Sequence, residues 1–146
     1  MATSNAATTY LEHRLLNFLF KNNAAIGGVT FASPGNSIYV GLATAVSDAE
    51  AGSLTEAAFG SYARQQVNAA GWTLASSSTD QQTVTNAANV EFPASTGTTQ
   101  TITHAFVADA ASSGNILFVG ALDASKQIAT GDIFRINAGN LTIELK

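Results

Sequence analysis

Along this chain the spacing of apolar positions changes character once, near residue 25. Before that point, in the stretch TTYLEHRLLNFLFKNNA (residues 8–24), Leu11, Leu15, Phe18 and Leu19 recur at the i, i+4, i+7, i+8 spacing of a single helix face. Leu16 and Phe20 widen that stripe past half the circumference. Thr9 and Glu12 fit the T-x-x-E capping box, in which each side chain satisfies a free backbone N–H in the first turn. The pattern therefore predicts a helix over 9–22, preceded by a flexible arm over 1–8. A helix this apolar needs cover on most sides, either from the protein's own sheet or from that sheet shared with a neighbouring subunit. Its polar positions, Glu12, His13, Arg14, Asn17 and Lys21, hold too few cations for a basic membrane-surface helix.

After residue 25 the period shortens to two and turn residues become frequent. IGGVTFASPGNS reads as loop, broken by Gly27-Gly28 and Pro34-Gly35. SIYVGLAT alternates, with Ile38, Val40 and Leu42 facing one way and Tyr39 and Gly41 the other, as a half-buried strand does. AVSDAEAGSLTEAAFGS reads as a long turn-rich segment, and in YARQQVNAAGWTL Tyr62, Arg64 and Gln66 alternate with Ala63, Gln65 and Val67. ASSSTDQQ, residues 75–82, is a polar loop. Further strands are expected in TVTNAANVEFP, TITHAFVAD, NILFVGAL, IFRI and NLTIELK. Short strands at regular intervals, separated by Gly, Asn, Ser and Asp, mark an antiparallel sandwich or barrel. With about eight strands and one helix, the expected fold is a mainly β, antiparallel, jelly-roll-like sandwich, one domain over 9–146.

Composition narrows what such a fold does. The chain has 146 residues, 46% of them hydrophobic, which suffices for one domain with its own core. It has no cysteine, so disulfides, thiolate chemistry and Cys-ligated zinc are excluded. Six Lys+Arg against ten Asp+Glu give a net charge of -4, and the cations Arg14, Lys21, Arg64, Lys126, Arg135 and Lys146 are scattered. A nucleic-acid surface needs clustered cations, so none is expected. Charged residues make up only 11% of the chain, against roughly 25% in ordinary soluble domains. The surface is therefore rich in Ala, Ser, Thr, Asn and Gly, which suits either dense packing against other proteins or simply a weakly charged monomer. MATSNAATTY lacks the basic and apolar regions of a secretion signal, and no window approaches the roughly 18 apolar residues of a membrane span. A soluble protein with no membrane partner is expected.

Catalytic constellations are absent from the pattern. His13 and His104 lie apart with no HExxH or paired His around them, and no G-x-S-x-G elbow, P-loop or GxGxxG is present. His104 reads as a strand residue bonded to backbone or solvent. Asp48, Glu50 and Glu56 cluster in SDAEAGSLTE, but without EF-hand spacing the loop reads as solvated and acidic rather than as a calcium site. Asp109, Asp123 and Asp132 sit at strand ends, where Asp caps turns. Trp72, the single tryptophan, reads as a core plug or the rim of a subunit contact, with sugar stacking as the other option. No enzyme activity, cofactor or metal is expected.

TYLEHRLLNFLFKN, IYVGLAT, DAEAGSLTEAAFGSYARQQV and THAFVADAASSGNILFVGALDASKQIATGDIFRINAGNLTIEL, in that order, carry a resemblance over Thr9 to Leu145. The chain resembles a family of small virion structural proteins of tailed bacteriophages, variously labelled capsid cement (decoration) proteins or tail-fibre-like proteins. Its most specific pieces are the Tyr-Leu-Glu helix start, Gly60-Ser61-Tyr62-Ala63-Arg64, and GNILFVGAL followed by GD and AGNLTIEL.

What the resemblance implies is a jelly-roll-type domain on the outer surface of the assembled head, with the major capsid protein as partner and no catalytic residues. Copies related by shell symmetry imply a homo-oligomer, dimer or trimer. The arm, the helix and the loop from Val46 to Ser61 are expected to carry the contact. The candidate interface residues are Tyr10, Arg14 and Phe18, then Glu50, Leu54 and Phe59, then Tyr62, Arg64 and Trp72. The alternative is a tail-fibre or receptor-binding module, possibly glycan-binding, favoured by Trp72 and the Thr/Ser-rich loops. Against it, the chain has no heptads or repeats from which to build a shaft.

Overall fold

In the computed structural model, the described residues are 6–13, 15, 25–26, 29–30, 38–75 and 82–145. Thirteen strands occur among them: β1 Ala6–Ala7, β2 Ala25–Ile26, β3 Val29–Thr30, β4 Tyr39–Asp48, β5 Ser53–Glu56, β6 Gln65–Gln66, β7 Trp72–Leu74, β8 Gln82–Asn86, β9 Val90–Glu91, β10 Gln100–Ala108, β11 Ile116–Ile128, β12 Arg135–Ile136 and β13 Thr142–Leu145. Every pairing is antiparallel. The fold is thus mainly β with one short N-terminal helix, as expected. The strand count exceeds the expected eight because several connections pair for only two residues, too short to leave an alternating signature.

The main sheet runs β1-β11-β10-β4-β5, with β6 also on β4. Two hairpins, β4–β5 and β10–β11, lie side by side, and β10 meets β4 from His104↔Ala43 to Ala108↔Tyr39. One face of this sheet carries Val40, Leu42, Ile102 and Ile128, all fully buried or nearly so, against Val90, Phe92, Phe134 and Ile136 of the β9–β12 pair and the segments beside it. Trp72 and Leu141 bring the three-stranded sheet β13-β8-β7 onto the same core. The second face carries Ala43, Phe106, Ala108 and Val119, with Ala6, Val46, Leu54 and Ile116 packed around them. Burial on both faces explains why all four positions from Val40 to Ala43 are covered, where simple alternation exposes every other residue.

Several expectations need correction. β4 continues to Asp48 through residues read as turn, because β5 returns beside it, with Ala45↔Thr55 and Val46↔Leu54 paired. The turn between them closes through Gly52 at φ 67°, a conformation that disfavours other residues. β11 likewise absorbs LDASKQ: Ile102 faces Lys126 and His104 faces Ala121, so Thr103 alone stands opposite Leu122, Asp123, Ala124 and Ser125 in a wide bulge. The flexible arm over 1–8 is too long, since Ala6 and Ala7 pair with β11 and Thr8 is 2% exposed. Residues 9–13 and 15 are helical; residue 14 and residues 16–22 of the expected helix lie outside the described residues.

Candidate docking surface

The N-terminal end of the molecule is held together by side chains that reach backbone groups far away in sequence. Thr8 begins it. Its amide donates to the Leu117 carbonyl at 2.9 Å, and its hydroxyl donates to the Ile116 carbonyl at 2.7 Å. The same hydroxyl oxygen accepts from the Leu11 amide at 3.3 Å, and the Thr8 carbonyl accepts from Glu12 at 3.1 Å. Thr8, not Thr9, is therefore the helix N-cap. The Thr9 amide is taken instead by the Glu50 carbonyl at 2.9 Å, which ties the helix start to the β4–β5 turn. Within that turn, the Ala51 amide donates to Asp48 Oδ1 at 3.1 Å.

A second hairpin tip, between β10 and β11, meets the same helix. Asp109 accepts from the Asn115 amide at 2.7 Å and from Asn115 Nδ2 at 2.8 Å, the Asp-capped turn expected from the sequence. Asn115 Nδ2 also donates to the Tyr10 hydroxyl at 2.9 Å. Ala111, Ser112, Ser113 and Gly114 project from this frame and are exposed, with Ser113 and Gly114 both at positive φ.

Beneath the tip lies Arg64, whose side chain is 5% exposed. Its Nε and Nη2 each donate to one oxygen of Glu56 at 2.8 Å, a bidentate fork. Its Nη1 donates to the carbonyls of Ala110 at 2.9 Å and Ser113 at 2.8 Å, so the guanidinium fixes the tip from below. The guanidinium also sits 5.0 Å over the Phe106 ring. Phe106 in turn covers Gly41 on β4, where an added Cβ would collide with the ring. Tyr62 completes the cluster: its hydroxyl donates to Glu56 Oε1 at 2.8 Å and accepts from the Leu42 amide at 3.0 Å.

The charges follow from this packing. Burial pushes the Glu56 carboxyl up, but hydrogen bonds from Arg64 and Tyr62 and the guanidinium's charge outweigh it and hold the carboxyl below its ordinary value. The hydrogen bond to Glu56 raises Arg64 against the opposing effect of burial. Burial raises the Tyr62 phenol, so it stays a neutral donor. The hydrogens of Arg64 and Tyr62 are thus spent on Glu56 and on the Ala110 and Ser113 carbonyls inside the fold.

The candidate interface residues divide accordingly. Tyr10, Glu50, Leu54, Tyr62 and Arg64 all belong to this end or its support: Leu54 packs with Ile116 on the second core face, and Glu50 is exposed on the β4–β5 turn. Phe59 does not reach the surface; it is fully buried, edge-on to Tyr62 at 5.2 Å between ring centres, which then stacks on Phe92. Arg64 supports the surface rather than forming it. Trp72 lies elsewhere, half-buried against the first core face, with Nε1 donating to the Val67 carbonyl at 3.3 Å. Arg14 and Phe18 lie outside the described residues. Of the helix stripe, Leu11 is half-buried and Leu15 is 38% exposed. Sequence reasoning missed Thr8 and Asp109–Asn115 as a brace for Tyr10; it reads ASSG, residues 111–114, as a turn between two strands but gives that turn no part in a surface.

His104 bonds its own neighbour, Thr103 Oγ1, at 2.8 Å, and burial lowers its pKa. Among the described residues, no group of three or more His, Asp or Glu side chains is placed to hold a metal ion, and no helix is long and apolar enough to cross a membrane.

A family model described as podophage GP4 fiber I protein gp80 matches residues 6–144. No curated protein matches the chain.

Proposed function

Because the chain belongs to the podophage GP4 fiber I protein gp80 family, whose members are phage virion structural proteins, we propose that it serves as a fibre subunit held in the virion by its N-terminal end. The docking surface is formed by the helix start, the β4–β5 turn and the tip 111–114. The observation that carries this reading is the braced tip: four exposed small residues held by Arg64, Asp109 and Asn115 in one conformation. A surface already ordered before contact loses little entropy on docking. Neutral Ala, Ser and Gly also cost little to desolvate, whereas ions at a contact must be stripped of water or paired. Leu15, exposed beside this frame, adds apolar area. A specific contact needs on the order of 1,600 Å² in total, more than one tip supplies, so helix and both turns engage together.

A second reading, capsid cement on the outer head surface with the major capsid protein as partner, is favoured by the compact size and the lack of any repeat able to form a shaft. In both readings the work is buried area and several copies act together, as a dimer or trimer. A virion reconstruction separates them. Density for this chain on a fibre supports the first reading, and density restricted to the head lattice replaces it with the second.

A further inference from the structure

The tip between β10 and β11 is closed at its neck by its own residues: the Asp109 amide donates to the Asn115 carbonyl at 3.1 Å, and the Asn115 amide returns to Asp109 Oδ1 at 2.7 Å. Above the neck the support changes. Among the described residues, the only hydrogen bonds to residues 110–114 come from Arg64 Nη1, to the carbonyls of Ala110 at 2.9 Å and Ser113 at 2.8 Å. Two carbonyl dipoles turned toward one point repel, and the guanidinium offsets this with charge-assisted bonds. Ser113 adds strain. It is the only non-glycine among the described residues at positive φ, 53°, a region that an ordinary L-residue occupies only when its surroundings hold it there. Gly114 follows at 70°, where a side chain would collide with Ala110 and Asp109.

What holds Arg64 is Glu56. Nε and Nη2 fork onto its two oxygens, and Tyr62 donates to the same carboxylate, at 2.8 Å in each case. Glu56 lies on β5, and the whole of β4 stands between it and β10. We propose that residues 110–114 are a latched loop: Glu56, which makes no hydrogen bond to any of them, sets their shape as a positioning residue acting through Arg64. Without the carboxylate, the guanidinium keeps only the Phe106 ring and the two tip carbonyls, none of which ties it to β5. It then swings toward solvent, and Ser113 relaxes to negative φ. The latch also makes one piece of the hairpins β4–β5 and β10–β11, since Arg64 belongs to neither and bonds both. It is a property of the free chain and does not rest on the docking reading.

Backbone nitrogen relaxation on the full chain tests this. The parent should show order parameters of about 0.85 at Ser113 and Gly114, and Glu56→Gln should bring both below about 0.6 while Asp109, Asn115 and Phe106 keep the parent's values. Adding Ser113→Asn, a side chain that tolerates left-handed backbone, to Glu56→Gln should regain most of the lost order. Unchanged order in Glu56→Gln overturns the latch, as does a loss that Ser113→Asn leaves untouched. The unaltered chain gives an independent reading that needs no variant to fold. Hydrogen exchange at Arg64 Nε should be about tenfold slower than at Arg135 Nε, whose ion pair with Glu91 is half exposed. Equal rates would mean a guanidinium free to leave, and would overturn the proposal as well.

Discussion

Two regions of this molecule are both tied by side chains that reach distant backbone groups, yet they present different surfaces. At the N-terminal end, strands are tied to one another by side chains that seek distant carbonyls: Thr8 to Ile116, Arg64 to Ala110 and Ser113, Asn115 to Tyr10. In the β13-β8-β7 sheet, the buried Asn86 ties the inner strands in: its Nδ2 donates to the carbonyls of Ala88 at 2.8 Å and Asn137 at 2.9 Å, and its Oδ1 accepts from the Leu141 amide at 2.9 Å, while the outer strand β7 pairs with β8 alone. There Leu74, Val84 and Ile143 form one row across three strands, and Leu74 is 72% exposed. The lesson is that exposed apolar area and organised surface are separate things. Leu74 is exposed apolar area, whereas the tip is fixed by hydrogen bonds from the Arg64 guanidinium.

Substitutions should therefore fall unevenly between the ends. The largest effect is expected for Arg64→Ala, which leaves Glu56 without its ion partner, releases two tip carbonyls and uncovers Phe106. Loss of one member of this partly buried, bidentate pair costs about 2 kcal/mol, read as a fall in the urea midpoint with unchanged slope. The same variant tests the electrostatics. Glu56 has a lowered folded pKa, so the stability it contributes is present above the ordinary carboxylate value and is lost as pH falls through the folded one. An acid titration of stability should lose that component in Arg64→Ala; if the two acid limbs superimpose, the pair is not what holds this end.

Next is Gly41→Ala, whose new methyl meets the Phe106 ring. Forcing that ring away costs about 2 kcal/mol, and Phe106→Leu in the same chain should recover part of it. Thr8→Ala removes the N-cap and the bond to Ile116 together, for about 1 to 2 kcal/mol, while Thr9→Ala should change little. Equal losses for the two threonines would return the cap to Thr9. Smallest is Leu74→Ser at the opposite end, expected within about 0.5 kcal/mol of the parent in the same denaturant titration. A loss comparable to that of Thr8→Ala would erase the contrast between the ends.

The local half of this picture was legible in the sequence. The presence of a helix after Thr9, the burial of Val40 and Leu42 and the Asp109 turn all follow from spacing and residue type. What escaped depends on pairs brought together only by the sheet order. The T-x-x-E spacing favours Thr9 over Thr8; the bonds of Thr8 to Ile116 and Leu117, more than a hundred residues on, reverse that choice. Glu56 and Arg64 meet because Glu56 lies on β5 beside β4 and the following segment folds back. Phe59 looked like a loop aromatic, and becomes core because Tyr62 and Phe92 enclose it. The strand through LDASKQ was hidden by its own bulge, which breaks the period of two.

The proposed docking surface centres on the tip 111–114 and the helix start braced beside it. The direct measurement is incorporation of Ser112→Arg into virions, compared with Leu74→Arg, with both purified chains first shown to unfold at the parent's urea midpoint. The expected result is at least a tenfold drop in copies per virion for Ser112→Arg and normal copy number for Leu74→Arg. Normal incorporation of Ser112→Arg, or loss confined to Leu74→Arg, would place the contact at the other end and contradict the account.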